Sequence, residues 1–500
     1  MPTTDPTWEN CLIETNDFMD CQDDPSSNFI PSLQRWMIAA MLIVYGIIAS
    51  VMEIRFGFYY IKLIMLGAIF SLILVPANYA FLLGLLVSVY YLLKANQIVT
   101  EVQSFQAGFL YIFTIIIALH NGFRSLSGKK RNPYDKMDLP AYCLLGILFM
   151  SLCGFWLVEN PYLYLKRIVE TAGFVCAFFL GKSYLKNLND LKLLLRGLCL
   201  GMFAFVFPWT IGYILNRGLG ILGKLDTVRE ELGSSISQES GSLLLIFVLA
   251  FSISGSILPR RVRRFALWLL AIPAAVMLLT LLSRAAILLL PIAIILGLIL
   301  SGKRAAAVYT IIICGLAGLM ISIYAGEIFI SIESRLRTFD AASAQRHDIY
   351  TWVSGMGLKN PILGIGAGQT RVRTPFFHGH NDAITIFAEY GILALLFYLL
   401  FWGAICYYAF RLRLQGTPLI RSLSGTFLLV MFCYIAYAQI ETMYFARGGI
   451  LFTFLMGAMS SFYHQHSAQR MAWGLNISPE DFTAEEEILP QGEINLDLPR

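Results

Sequence analysis

The side chains best suited to chemistry gather in residues 363–391, LGIGAGQTRVRTPFFHGHNDAITIFAEYG. His380 leads them. An imidazole with an ordinary pKa near 6.5 is largely neutral at pH 7 and can take a proton from a hydroxyl nucleophile. The same histidine could instead cap the helix that follows or face lipid headgroups. His378 lies two residues earlier and could fill either role. A close histidine pair raises the question of a metal, but no HExxH or carboxylate–histidine spacing accompanies it, so no metal is expected. Asn381 suits a helix cap or a hydrogen-bonding partner for a substrate. Asn381, Thr385 and Glu389 fall on one side of a helix, which carries Glu389 about two turns into an apolar segment. At that depth an ionisable group faces a cavity or a partner on a neighbouring span. Gly391 beside it reads as a point of close helix approach.

Arginines supply the complementary charge. Arg284 interrupts an apolar run from Phe265 to Leu300, either snorkelling to the interface or offering a bidentate grip on phosphate. Arg346 starts a predicted amphipathic helix that Ser343 caps and that runs to Gly357, with Ile349, Trp352, Val353 and Met356 on one face. Asn360-Pro361 ends it, and Gly364, Gly366 and Gly368 form a bend. Arg371 and Arg373 follow, with no role assigned by the residues themselves. The glycine run lacks a preceding strand and a Gly-Lys-Ser/Thr ending, which excludes a phosphate loop of the nucleotide-binding type. Together these residues suit a neutral base acting beside cations that bind phosphate.

The elements that must hold them are membrane helices. Of 500 residues, 57% are hydrophobic and only 14% charged, with a mean hydropathy of +0.67. That composition excludes an ordinary soluble protein. Apolar runs near 34–52, 58–74, 77–93, 104–119, 140–158, 168–181, 197–215, 241–258, 265–283, 285–300, 306–324, 383–408, 422–440 and 446–463 predict an all-α, polytopic bundle of about 12–14 spans. Basic connections at Lys129-Lys130-Arg131, Arg260 to Arg264, Lys303-Arg304 and Arg411 to Arg421 are separated by even numbers of these runs. One orientation, with both termini inside, therefore makes all four cytoplasmic.

That orientation leaves 216–240, the Ser283-Arg284 turn and the long loop 325–382 outside. The long loop keeps six cations on the disfavoured side, which fits either a bound anion or a headgroup-facing surface. Residues 1–33, with seven acids and no Lys or Arg, read as an acidic cytoplasmic tail without a signal peptide. Residues 464–500 read as a second cytoplasmic tail, and 34–463 as one transmembrane domain. Seven of the nine cysteines lie in apolar runs and behave as small hydrophobes, so no disulfide framework is expected.

The order Ser283-Arg284, Arg346 to Trp352, Asn360 to Gly366, His380-Asn381 and Glu389 to Gly391 resembles the O-antigen ligase and polymerase superfamily over roughly residues 240–410. The resemblance implies an inverting glycosyltransferase of the bacterial inner membrane that needs neither metal nor cofactor. It implies a donor glycan on undecaprenyl pyrophosphate, an acceptor hydroxyl on a glycan or on lipid A-core, surrounding membrane lipids and no nucleic acid, with the active site at the periplasmic face. His380 would be the general base, and Arg284 and Arg346 the pyrophosphate ligands. Asn381, Glu389, His378, Arg371 and Arg373 would support them. A transporter or flippase of the same lipid-linked oligosaccharide is the rival reading. It calls for ionisable groups near mid-membrane in several spans and for inverted repeats.

Overall fold

The computed structural model describes residues 80, 83–84, 111–112, 114–119, 137–185, 188–201, 244–246, 248–249, 284–300, 339–374, 379–440, 442–444 and 447–472. All of them belong to the second of two units, Tyr79–Arg500. His378, the connection 216–240, the tail 1–33, and the predicted spans before 80 lie outside the described residues, as do those at 265–283 and 306–324; of the predicted tail 464–500, residues 464–472 are helical and the rest lies outside the described residues.

Every regular element among the described residues is helical. In chain order these are α1 (Leu139–Cys153), α2 (Pro161–Tyr184), α3 (Leu188–Gly201), α4 (Arg284–Leu300), α5 (Phe339–Lys359), α6 (Thr370–Arg373), α7 (Asp382–Gln415), α8 (Pro418–Ala438) and α9 (Arg447–Ala472). Among the described residues, three helical stretches are long and apolar enough to cross a membrane: Leu139–Leu157, Asp382–Gln415 and Ile420–Ala438. The predicted span 168–181 is part of the longer α2, which begins at Pro161 behind the Asn160 cap and carries Lys166, Arg167 and Glu170 in its first turns. Those charges truncate the apolar run without ending the helix.

Small residues set the packing. Helices α2 and α9 run side by side, with Phe174 against Gly449 and, farther along, Gly181 and Gly457 against the opposing backbone. A Cβ on Gly181 would lie 1.9 Å from the Phe454 carbonyl oxygen, and one on Gly457 2.0 Å from that of Phe178. Hydrocarbon chains solvate apolar side chains as well as neighbouring helices do, so close backbone approach and dispersion hold such pairs. Helix α7 packs on α1, α8 and α9, and α5 lies across the first turns of α7.

Two polar ends result. At one, Asp138 caps α1 through Ala141 N and meets Lys182 Nζ at 3.2 Å and His464 Nε2 at 3.1 Å, with the Ser460 hydroxyl donating to the same carboxylate. The Arg413 guanidinium donates to Leu300 O at 3.0 Å, and His466 contacts Gln415 O at 3.1 Å, at this same end. At the other end residues 154–160, 360–374, 379–381, 439–440 and 442–444 come together.

Candidate functional site

The predicted glycine bend fills a break in α7. Gly364, Gly366 and Gly368 have φ of 67°, 96° and 73°, a region that residues with a Cβ rarely occupy. Gly391 within α7 has φ 85° and ψ −178°, so the helix is interrupted there. The Ile392 N–H leaves Ala388 O and donates to Pro361 O at 2.7 Å. The freed carbonyls of Ala388 and Glu389 accept from Ile365 N at 2.8 Å and Gly366 N at 3.1 Å. Non-helical backbone at such a depth is tolerated where the surrounding protein satisfies it, as the bend does here. Gly391 is thus more than a point of close helix approach. It needs its positive φ, and a Cβ there would lie 2.0 Å from Ile362 O.

Glu389 is the anchor of this arrangement. Its carboxylate is fully buried and accepts from Gly368 N at 2.9 Å and from the Thr370 hydroxyl. Arg167 Nε of α2 approaches the same carboxylate at 3.3 Å, while Arg167 Nη1 donates to Glu170 at 2.9 Å. The expectation of a partner on a neighbouring span is met by Arg167, and the group is also tied to the loop. Beside it, the Thr171 hydroxyl lies 3.2 Å from that of Tyr390. Sequence inspection missed Arg167. Its signal was a charge cluster, Lys166-Arg167 with Glu170, at the edge of an apolar run.

Gln369 fastens the bend to the turn between α1 and α2. Its Oε1 accepts from Glu159 N at 3.0 Å and Asn160 N at 2.9 Å, and its Nε2 donates to Asn160 O at 3.2 Å. Arg373 reinforces the joint through Leu157 O at 3.2 Å and the Glu159 carboxylate at 2.8 Å. Arg373 is therefore engaged in holding two loops together. Arg371, one residue removed on the one-turn helix α6, is exposed. It lies in the electrostatic neighbourhood of Arg167, Glu170 and Glu389.

His380 sits where α7 opens. It is half-buried and takes φ 49°, the left-handed region, which histidine tolerates better than most residues. The next residue, Asn381, caps α7 by accepting from Ile384 N at 3.1 Å, as its type predicts. Its Nδ2 reaches Gln439 Oε1 at 3.1 Å. Asp382, which sequence inspection passed over, accepts twice from Tyr444 N at 2.9 Å and from the Tyr398 hydroxyl at 3.2 Å. Both residues lock the start of α7 to the connection between α8 and α9.

Helix α5 runs alongside the first turns of α7 in the same chain direction. Gly357 faces Phe387 and Ala388, Val353 approaches Gly379, and the Tyr350 hydroxyl lies 3.2 Å from His380 O. Continuing that register puts Arg346 one turn beyond Tyr350, at the mouth of α7. Two expectations for this helix change. It begins at Phe339, so Ser343 lies within it rather than capping it. Its inner face is Ile349, Val353 and Gly357, whereas Trp352 is 53% exposed. Arg284 is the first residue of α4. His380, Asn381 and Glu389 thus lie along the start of α7, and Arg346 lies on α5 one turn before the residue that contacts His380 O.

Residues 269–399 match the family model described as O-Antigen ligase. The stretch contains Arg284, Arg346, the glycine bend, His380, Asn381, Glu389 and the break in α7. Arg167, Glu159 and Glu170 precede it. No curated protein matches the chain. Over these residues the chain is similar to the O-antigen ligase family, and three helices among the described residues are long and apolar enough to cross a membrane.

Proposed function

We propose that this chain is an inverting membrane glycosyltransferase that moves a glycan from polyprenyl pyrophosphate, of the undecaprenyl type, to an acceptor hydroxyl at the periplasmic face. The observation that carries the reading is the placement of His380. A half-buried imidazole in a left-handed conformation stands immediately before the Asn381 cap, with Arg346 one turn beyond the tyrosine that contacts its own carbonyl. Sparsely populated backbone of this kind costs on the order of 1 kcal/mol and persists where surrounding contacts enforce it, often at functional sites.

In the proposed reaction the acceptor oxygen bonds to the anomeric carbon as the bond from that carbon to the pyrophosphate oxygen breaks. His380 receives the hydroxyl proton. The pyrophosphate leaves as an anion already stabilised by its own charge delocalisation, and Arg284 and Arg346 supply the cations that complete its neutralisation. Attack from the face opposite the leaving group inverts the anomeric centre. Asn381 keeps the α7 entrance in register, and no step requires a metal or cofactor.

The test incubates purified protein with lipid-linked repeat units, with and without lipid A-core. A ladder without core identifies a polymerase, and product only with core a ligase. No glycan transfer, with the lipid crossing proteoliposome bilayers, would overturn the proposal in favour of a transporter.

A further inference from the structure

Arg167 belongs to α2, outside the family-matched residues, and the transfer reaction just described gives it no part. Its guanidinium nevertheless bridges Glu170 and Glu389. Glu389 in turn holds the Gly368 amide and the Thr370 hydroxyl, where the chain leaves the glycine bend toward Arg371. The same chain returns to α7 at His380, and there a second, independent set of contacts pins it: Asn381 to Gln439, and Asp382 to Tyr444. The backbone just before Arg371 and the start of α7 just after His380 are therefore each anchored, the first by a carboxylate with no solvent exposure. A buried carboxylate in an apolar segment needs a cationic partner to aim it. Arg167 is that cation. Its side chain is itself mostly buried and is engaged by two carboxylates, which leaves it poorly suited to bind substrate.

We propose that Arg167 is a positioning residue for glycan transfer. By fixing the Glu389 carboxylate on Gly368 and Thr370 it holds the backbone that leads into Arg371 against α7, the helix that follows His380. The inference rests on the transfer reading given above and assigns a role to a residue that the family-matched stretch lacks.

Hydrogen–deuterium exchange over residues 361–374 and transfer kinetics on the full chain test it together. Arg167→Gln should raise exchange at Gly366 and Gly368 and lower kcat by about a hundredfold, as small misplacements of reacting groups do, with donor KM within about threefold of wild type. Arg167→Gln/Glu389→Gln removes both buried charges but leaves an amide oxygen for Gly368 and Thr370. It should regain protection and at least about a tenth of the wild-type kcat.

Arg167→Lys keeps the charge and the fold but cannot reproduce the forked contacts. It should loosen the bend and lower kcat by about tenfold. Unchanged exchange and kcat in Arg167→Lys would overturn the proposal. So would a raised donor KM at unchanged kcat, which would make Arg167 a donor ligand. A wild-type chain that transfers no glycan overturns the transfer reading itself, whereas unaltered exchange in Arg167→Gln beside a wild type that does transfer overturns this inference alone.

Discussion

Arg167 and Glu389 join two parts of the chain more than two hundred residues apart, 3.3 Å from guanidinium to carboxylate in a fully enclosed setting. Pairs of this kind add little net stability, because desolvation offsets most of their attraction. Removing one partner is different: the other is left charged and buried, at about 3–5 kcal/mol. The pair therefore enforces one arrangement of the bend more than it strengthens the bundle. The bend can fill the break at Gly391 only if Glu389 points toward it.

His380→Ala should abolish glycan transfer while leaving insertion and thermal stability close to wild type, because the half-buried ring is not part of the core. Transfer is followed by gel mobility of the glycan product. Arg284→Ala and Arg346→Ala should weaken donor use and leave acceptor dependence unchanged. Full transfer by His380→Ala would remove the base from the proposed mechanism.

Gly391→Ala and Gly403→Ala lie on the same helix and should behave oppositely. At Gly391 a methyl group meets Ile362 O at 2.0 Å and the backbone has φ 85°, so the substitution should cost about 3 kcal/mol or more and deplete folded protein in detergent. At Gly403 nothing lies within 4 Å of the added carbon. Alanine there should be neutral or stabilise by about 0.5–1 kcal/mol, because glycine loses more backbone freedom on folding. Fluorescence-detected size exclusion after heating separates the two outcomes.

The contrast shows what could be read from the chain. Apolar length gave α1, α7, α8 and α9 directly, and Asn381 before Asp382 marked the start of α7. The glycines at 364, 366 and 368 announced a bend. The break at Gly391 was hidden, because its cause is the bend itself: Pro361, Ile365 and Gly366 replace hydrogen bonds that a helix would make within its own turn. Trp352 was placed on the wrong face because α5 was given a full apolar stripe, whereas Ile349, Val353 and Gly357 cover the contact. Arg167 and Gln369 act over about 200 residues of separation, a distance at which local spacing carries no signal.

Gln369 and Arg373 both join the bend to the α1–α2 turn, and burial predicts which matters more. Gln369 is 0% exposed and satisfies two amides and one carbonyl of that turn. Gln369→Ala would strand these groups without water, at roughly 2–4 kcal/mol. The Arg373–Glu159 pair is partly exposed at both ends, 28% and 52%. Glu159→Ala should cost under about 1 kcal/mol, and less at high salt. Thermal unfolding of the two variants at low and high ionic strength checks both claims.

At the opposite end, Asp138 predicts an acid-dependent loss of stability. Burial pushes its carboxyl pKa up, but the His464 hydrogen bond, the Lys182 charge and the Ser460 hydroxyl together draw it below the ordinary value. A carboxyl held lower in the folded chain contributes stability that is fully present above the ordinary carboxylate range near 4 and disappears as pH falls through the folded value. Wild-type Tm should therefore fall on acidification below about pH 4 more steeply than that of Asp138→Asn, which lacks the titrating group. At neutral pH the wild type is the more stable: Asp138→Asn removes the counter-ion of Lys182, 3% exposed, and should be about 3–5 kcal/mol less stable. The two Tm curves should converge toward acid. Parallel curves across that window would show that Asp138 is not held ionised by Lys182 and His464.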